Sequence, residues 1–226
     1  MSVVALIRAA GLGARFHDSG PKALVKLAGK PFLLHALERL AASGCVDRAV
    51  VAVSPGHEDA FAGALAGFGA MPVATTAGGE TRRDSVVAAW RASGARDGDL
   101  LCIHDAARPL VEPADVAAVV AAAVEHGAAL AGSPVTDTVK RIRGAVVLET
   151  VPRLDLFAAA TPQVLRASLL REAVEAGLPE ATDDVELLER RGVEVRVVVT
   201  SRWNVKITFP EDLARAEAWL AAAGRP

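Results

Sequence analysis

Cysteine is nearly absent: Cys45 and Cys102 are the two in 226 residues. They form no paired motif and are too few for a disulfide framework, and both lie near apolar runs, where a thiol acts as a small hydrophobe. Excess charge of either sign is missing too. Lys+Arg numbers 25 against 27 Asp+Glu, a formal charge of -2 with a pI near 6.2. So balanced a chain has no global field to hold a nucleic-acid backbone, so no nucleic-acid partner is expected and any anion must be met by a local cluster. The opening MSVVALIRAAGLG is far shorter than a membrane span and lacks a basic leader and a cleavage site. A cytoplasmic protein with no membrane partner is the expectation. There is no low-complexity tract or charge block, and the five histidines show no metal-ligand spacing. What is present, 52% hydrophobic and 23% charged residues, predicts one globular domain over 1–226.

Along the chain, β-rich apolar runs alternate with Ala- and Leu-rich helical segments. Strands are predicted at 3–7, 48–53, 71–75, 100–103 and 128–132, and helices at 31–43, 57–68, 84–91 and 113–126. This order predicts an α/β fold, a Rossmann-like, mostly parallel sheet with helices on both faces and ligands at the strands' C-terminal edge. At Pro134 the rhythm breaks. Runs 136–142 and 146–151 flank Arg143-Gly144, the pattern of a β-hairpin arm projecting over about 134–156. A lone hairpin is barely stable in water, and a second copy of the chain is its simplest partner. Helices at 168–176, 183–191 and 210–223 and strands at 193–200 and 204–207 complete the reading. Asp183 and Asp184 are expected to cap a helix. Pro210 fits the first helical position, although Phe209 before it offers no capping hydroxyl.

Four segments carry candidate chemistry. Ala9-Ala10-Gly11-Leu12-Gly13-Ala14-Arg15 follows the first strand and precedes Pro21-Lys22. Its glycines let backbone N–H groups approach a polyphosphate, and its cations can neutralise displaced phosphate; a plain strand-to-helix turn is the competing reading. Phe16 replaces the third glycine of G-x-G-x-x-G, Ser54-Pro55 replaces the ribose-binding acid, and no P-loop is present, which counts against a nicotinamide-dependent oxidoreductase. Gly78-Gly79-Glu80-Thr81-Arg82-Arg83-Asp84-Ser85 can read the polar edge of a base. Alternatively it is a helix start capped by Asp84 or Ser85, with its arginines in solvent. His104-Asp105-Ala106-Ala107-Arg108-Pro109 follows a buried strand. There Asp105 can meet Mg²⁺ or instead pair with Arg108, while His104 reads as a hydrogen-bonded structural histidine. Lys206 lies between Val205 and Ile207 and serves either a phosphate or an edge strand.

Taken in order, AAGLGARF…PK (9–22), GGETRRDSV (78–86), HDAARP (104–109), PVTDTVKR (134–141), VPRLDLFAAATPQ (151–163), TDDVE (182–186) and NVKITFPEDL (204–213) resemble the 2-C-methyl-D-erythritol 4-phosphate cytidylyltransferase family of the non-mevalonate isoprenoid pathway. The resemblance implies a nucleotide-diphospho-sugar-transferase type of sheet, a homodimer joined through the arm, and Mg²⁺-dependent transfer from CTP to a polyol phosphate. It gives Arg15, Lys22, Arg153 and Lys206 the catalytic roles. Ala10, Gly11, Gly13, Gly79, Glu80, Ser85, Asp105 and Ala106 are implied to hold the nucleotide, with Asp105 also at the metal. Arg108, Thr138 and Thr161 are implied on the acceptor side, and Arg153 in the neighbouring subunit's site. Departures are Arg8 at a usual proline, Ala23 at a usual glutamine, Thr81 at a usual acid or amide and Phe209 at a usual small residue; Arg8 adds a cation beside the nucleotide loop. A ribitol 5-phosphate cytidylyltransferase shares scaffold and mechanism, and a non-catalytic nucleotide-binding regulator shares the fold.

Overall fold

The computed structural model describes residues 1–11, 20–177 and 183–222. Its strands are β1 (Val3–Ala9), β2 (Lys26–Leu27), β3 (Lys30–Pro31), β4 (Arg48–Val53), β5 (Val73–Ala77), β6 (Leu100–Asp105), β7 (Ala128–Pro134), β8 (Val139–Arg143), β9 (Val146–Val151), β10 (Phe157–Arg166) and β11 (Arg196–Val199). Its helices are α1 (Phe32–Ala42), α2 (Glu58–Leu65), α3 (Arg82–Ser93), α4 (Pro113–His126), α5 (Ala167–Glu175), α6 (Glu186–Glu189) and α7 (Pro210–Ala222). Seven strands form the central sheet in the order β11-β7-β10-β6-β1-β4-β5, parallel except for β10.

Continuous apolar strands are what a sheet covered on both faces requires. Along β1, Val3, Ala5, Ile7 and Ala9 enter one core with Leu33, Leu37 and Leu40 of α1 and Val116, Val119 and Ala123 of α4. Val4 and Leu6 enter the opposite core with Val86 and Ala89 of α3 and Leu170 of α5. A third, smaller core joins Leu27, Phe32, Leu110, Ile207 and Leu220, and so ties α7 to the edge where β1 and β6 end.

The predicted parallel α/β architecture is therefore present, with three differences. First, β10 is a strand that the sequence reading passed over. It runs antiparallel between β6 and β7, and its register shifts between Ala159 and Gln163, around Pro162. Proline donates no ladder hydrogen bond, and the irregularity accommodates it. Second, 204–207 is no strand. It crosses the strand ends, anchored by the Ile207 N–H donating to the Ala107 carbonyl at 2.9 Å. Third, only the short α6 forms within 183–191. There Asp183 accepts from the Glu186 N–H at 2.9 Å, as expected of a cap, whereas the Asp184 carboxylate turns to Arg82.

The chain entering the helix at Pro210 is tied down from inside it. Asp212 accepts from the N–H groups of Thr208 and Phe209 at 2.8 and 2.9 Å. The arm forms as β8 and β9, a separate two-stranded sheet turning at Gly144 (φ 58°). It leaves Ile142, Val146, Val147 and Leu148 exposed. Among the described residues no helix is long and apolar enough to cross a membrane.

Candidate active site

A cleft of about 320 Å³ opens where β1, β5 and β6 end. Ala10 and Gly11 leave β1, Gly79 and Glu80 follow β5, and Asp105 and Ala106 close β6. Lys22 and Lys206 reach the same cleft from opposite ends of the chain. Lys22 begins a single 3₁₀ turn, and its backbone N–H donates to the Gly11 carbonyl at 3.1 Å. Arg15 and Gly13 lie outside the described residues.

The two glycines after β5 are demanded by close approach. A Cβ at Gly78 would come 2.5 Å from the Ala10 Cβ, and one at Gly79 would come 2.2 Å from the Asp84 Cβ. The helix start beyond them is capped by Thr81, not by Asp84 or Ser85. Its hydroxyl accepts from the Asp84 N–H at 3.1 Å, and the Asp84 carboxylate accepts from the Thr81 N–H at 3.2 Å, a capping box. The Ser85 hydroxyl is spent inside the loop, donating to the Thr81 carbonyl at 3.1 Å and accepting from the Gly79 N–H at 3.2 Å. Thr81→Ala is expected to lower unfolding free energy by about 1 kcal/mol, readable as a shifted urea midpoint at unchanged slope.

Asp105 is buried, 4% exposed, and does not pair with Arg108. One carboxylate oxygen meets the Arg8 guanidinium, and the other takes the Lys206 ammonium at 3.0 Å. Arg8 lies directly across from Asp105 in the β1–β6 register. Burial, together with the like charges of Arg82 and Arg108, lowers the Arg8 pKa to about 10, opposed by Asp184 and Asp183; the group stays charged near neutrality.

Beneath Asp105 runs a hydrogen-bonded chain. The Asp105 N–H donates to the Thr161 hydroxyl at 3.1 Å, which lies 3.1 Å from His104 Nδ1, while His104 Nε2 lies 3.2 Å from the Arg108 carbonyl. A carbonyl only accepts, so Nε2 carries the proton and the Thr161 hydroxyl donates to Nδ1. Burial pushes the His104 pKa down to about 3. The buried Thr161 and the largely enclosed Arg108, whose Nη1 donates to the Asn204 carbonyl at 2.6 Å, thus face inward and do not line the cleft. Thr138 and Arg153 are exposed at the base of the arm, outside this cleft, with the Arg153 guanidinium donating to the Thr136 carbonyl.

Two charged cleft residues escaped the sequence reading as site residues. Arg82, expected in solvent, lines the cleft and is held by Asp184 at 2.6 Å. Arg8, noted only as an added cation, is the partner of Asp105. Its signal was its place at the end of the first strand, but the strand order needed to interpret that is not written locally.

No cluster of three or more His, Cys, Asp or Glu side chains suited to a metal exists among the described residues. Asp105 stands alone with both oxygens ion-paired. The free cleft thus offers Mg²⁺ a single, ion-paired carboxylate, which suits that ion only together with the phosphate oxygens of a bound nucleotide.

A Gly-lined cleft at the C-terminal edge of a mostly parallel sheet, with cations gathered from distant segments, marks an α/β protein built to hold a phosphate-bearing ligand. The family model described as 2-C-methyl-D-erythritol 4-phosphate cytidylyltransferase matches residues 3–222, and the chain belongs to that family. A relative of that name from Rhodopirellula baltica is 41% identical, the match covering 97% of this chain and 95% of the relative. Another from Rubrobacter xylanophilus is 42% identical, over 98% and 96%. The crystal structure of 2-C-methyl-D-erythritol 4-phosphate cytidylyltransferase from Thermus thermophilus superposes with a TM-score of 0.79 at 33% identity, covering 97% of this chain and 98% of that one. That of 4-diphosphocytidyl-2C-methyl-D-erythritol synthase from Anaerococcus prevotii gives 0.84 at 25% identity, with the same two coverages.

Proposed function

We propose that this enzyme transfers the cytidylyl group of CTP to the phosphate of 2-C-methyl-D-erythritol 4-phosphate in the non-mevalonate isoprenoid pathway, in the cytoplasm. An acceptor phosphate oxygen forms a bond to the α-phosphorus, the bond from that phosphorus to the pyrophosphate oxygen breaks, and pyrophosphate leaves with the electron pair. The nucleophile is already anionic, so no general base is required. The barrier is the repulsion between two polyanions and the alignment of the in-line attack. The observation that carries this reading is the convergence of Lys22 and Lys206 on one cleft beside Gly11 and Gly79. Fixed cations there offset charge without reorganising during the reaction. Arg15 is assigned to the same set. Ala10, Gly11, Gly13, Gly79, Glu80, Ser85, Asp105 and Ala106 are assigned to the nucleotide, Ser85 by shaping its loop. Mg²⁺ is assigned to the nucleotide's own phosphate oxygens.

The test supplies CTP and Mg²⁺ with methylerythritol phosphate or ribitol 5-phosphate in separate reactions and follows pyrophosphate. Release with methylerythritol phosphate supports the reading. Release with ribitol 5-phosphate alone moves the enzyme to the other alcohol, and release with neither makes the chain a nucleotide binder.

The reading includes a homodimer built on the arm. Support comes from its exposed apolar side chains, Ile142 and Val147 as one cross-strand pair with Val146 and Leu148 beside them, on a hairpin that joins no larger sheet. Arg153 and Thr138, at the arm's base, are assigned to the acceptor in the neighbouring subunit's cleft, while Arg108 and Thr161 support it from beneath. Val147→Asp is expected to convert a dimer to a monomer by sedimentation and to reduce turnover by roughly a hundredfold, the cost of losing one preorganised charge-stabilising group. A variant that stays dimeric removes the arm from this role.

A further inference from the structure

We propose that Arg8 is a resident counter-cation that holds Asp105 against a divalent ion, and so sets how strongly CTP and Mg²⁺ depend on one another in this enzyme. The inference rests on the reading of the cleft as the CTP site.

Arg8 and Asp105 are register partners on adjacent parallel strands, β1 and β6. The Arg8 side chain is 12% exposed and that of Asp105 6%, so their pairing is enclosed. The Lys206 side chain, on the second oxygen, is 45% exposed and can swing into solvent. Arg8 has no such freedom. Its Nε is buried without a hydrogen-bond partner, and of its charged neighbours Asp184 and Asp183 attract it while Arg82 and Arg108 repel it, so Asp105 is the carboxylate it pairs with. A divalent ion on either oxygen must sit beside the enclosed guanidinium, and by drawing the carboxylate to itself would weaken the one ion pair that Arg8 makes. Asp105 with Arg8 and Lys206 instead leaves one net positive charge in the cleft for the nucleotide's phosphates. A chain without Arg8 would have a neutral pair there and an accessible carboxylate. It would bind metal-free CTP poorly and gain more from Mg²⁺.

The experiment is calorimetric titration of CTP, without acceptor, into wild type and Arg8→Met, each in EDTA and in Mg²⁺. The ratio of the two affinities measures the coupling. It is expected to rise roughly tenfold in Arg8→Met, within the ordinary range of such couplings, and to fall back in Arg8→Met/Asp105→Asn. Arg8→Lys, which keeps the charge, is expected to retain the wild-type ratio. Arg8→Gln takes the place of a methionine variant that folds poorly. An unchanged ratio in the neutral variant overturns the proposal, as does a raised ratio that survives removal of the carboxylate. Wild type that binds no CTP at all overturns the reading of the cleft itself, a result distinct from an unchanged ratio.

Discussion

Lys22→Ala is expected to lower cytidylyl transfer by roughly a hundredfold or more, the range for losing one preorganised charge-stabilising group. Lys22 lines the cleft from a turn whose backbone is tied to Gly11, so the cation is fixed relative to the end of β1. If Lys22 bound substrate and transition state equally, the loss would fall on KM. Charge builds on the departing pyrophosphate only as the bond breaks, so the loss is expected mainly in kcat. Steady-state pyrophosphate release under saturating CTP makes the distinction. Turnover within a few fold of wild type removes Lys22 from the transition state.

The residues that reach this cleft show what a sequence can reveal. β1, β4 and β6 are legible because their runs are continuously apolar, and α4 because an Ala/Val stretch starts at Pro113 and stops before Gly127. Gly11, Gly79, Asp105 and Ala106 lie just beyond such strands, so a parallel sheet brings them to one edge. β10 is harder. FAAATPQVLR is alanine-rich and interrupted by proline, and it belongs in the sheet only because β6 and β7 leave a slot between them. The 204–207 segment fails the other way, since Val and Ile flanking a lysine imitate a strand although the segment pairs with no strand of the sheet. Arg8 needed the strand order, because only the adjacency of β1 and β6 sets it opposite Asp105. The inward turn of Thr161 and Arg108 is a matter of side-chain packing, on which local spacing is silent.

That inward layer gives the second large effect. Between pH 7.5 and 5 the protein is expected to lose about 2 kcal/mol of stability through His104 alone. Its folded pKa near 3 lies below the ordinary histidine value of 6.5 because burial disfavours the charged ring. Below pH 6.5 the unfolded chain therefore holds a proton the native chain refuses. The contribution is fully present above that value and is lost progressively as pH falls toward 3. Protonation also turns Nδ1 into a donor, so the Thr161 hydroxyl loses the acceptor for its own proton. His104→Gln keeps a donor for the Arg108 carbonyl and cannot titrate. Other groups titrate in both proteins, so the measured quantity is the stability difference between wild type and variant from urea unfolding. It should shrink by about 2 kcal/mol between the two pH values, whatever its size at pH 7.5. A difference independent of pH would mean that His104 is not held neutral. The support beneath Asp105 would then have to be sought in the Asn204 amide, which donates to the Thr161 carbonyl at 2.8 Å.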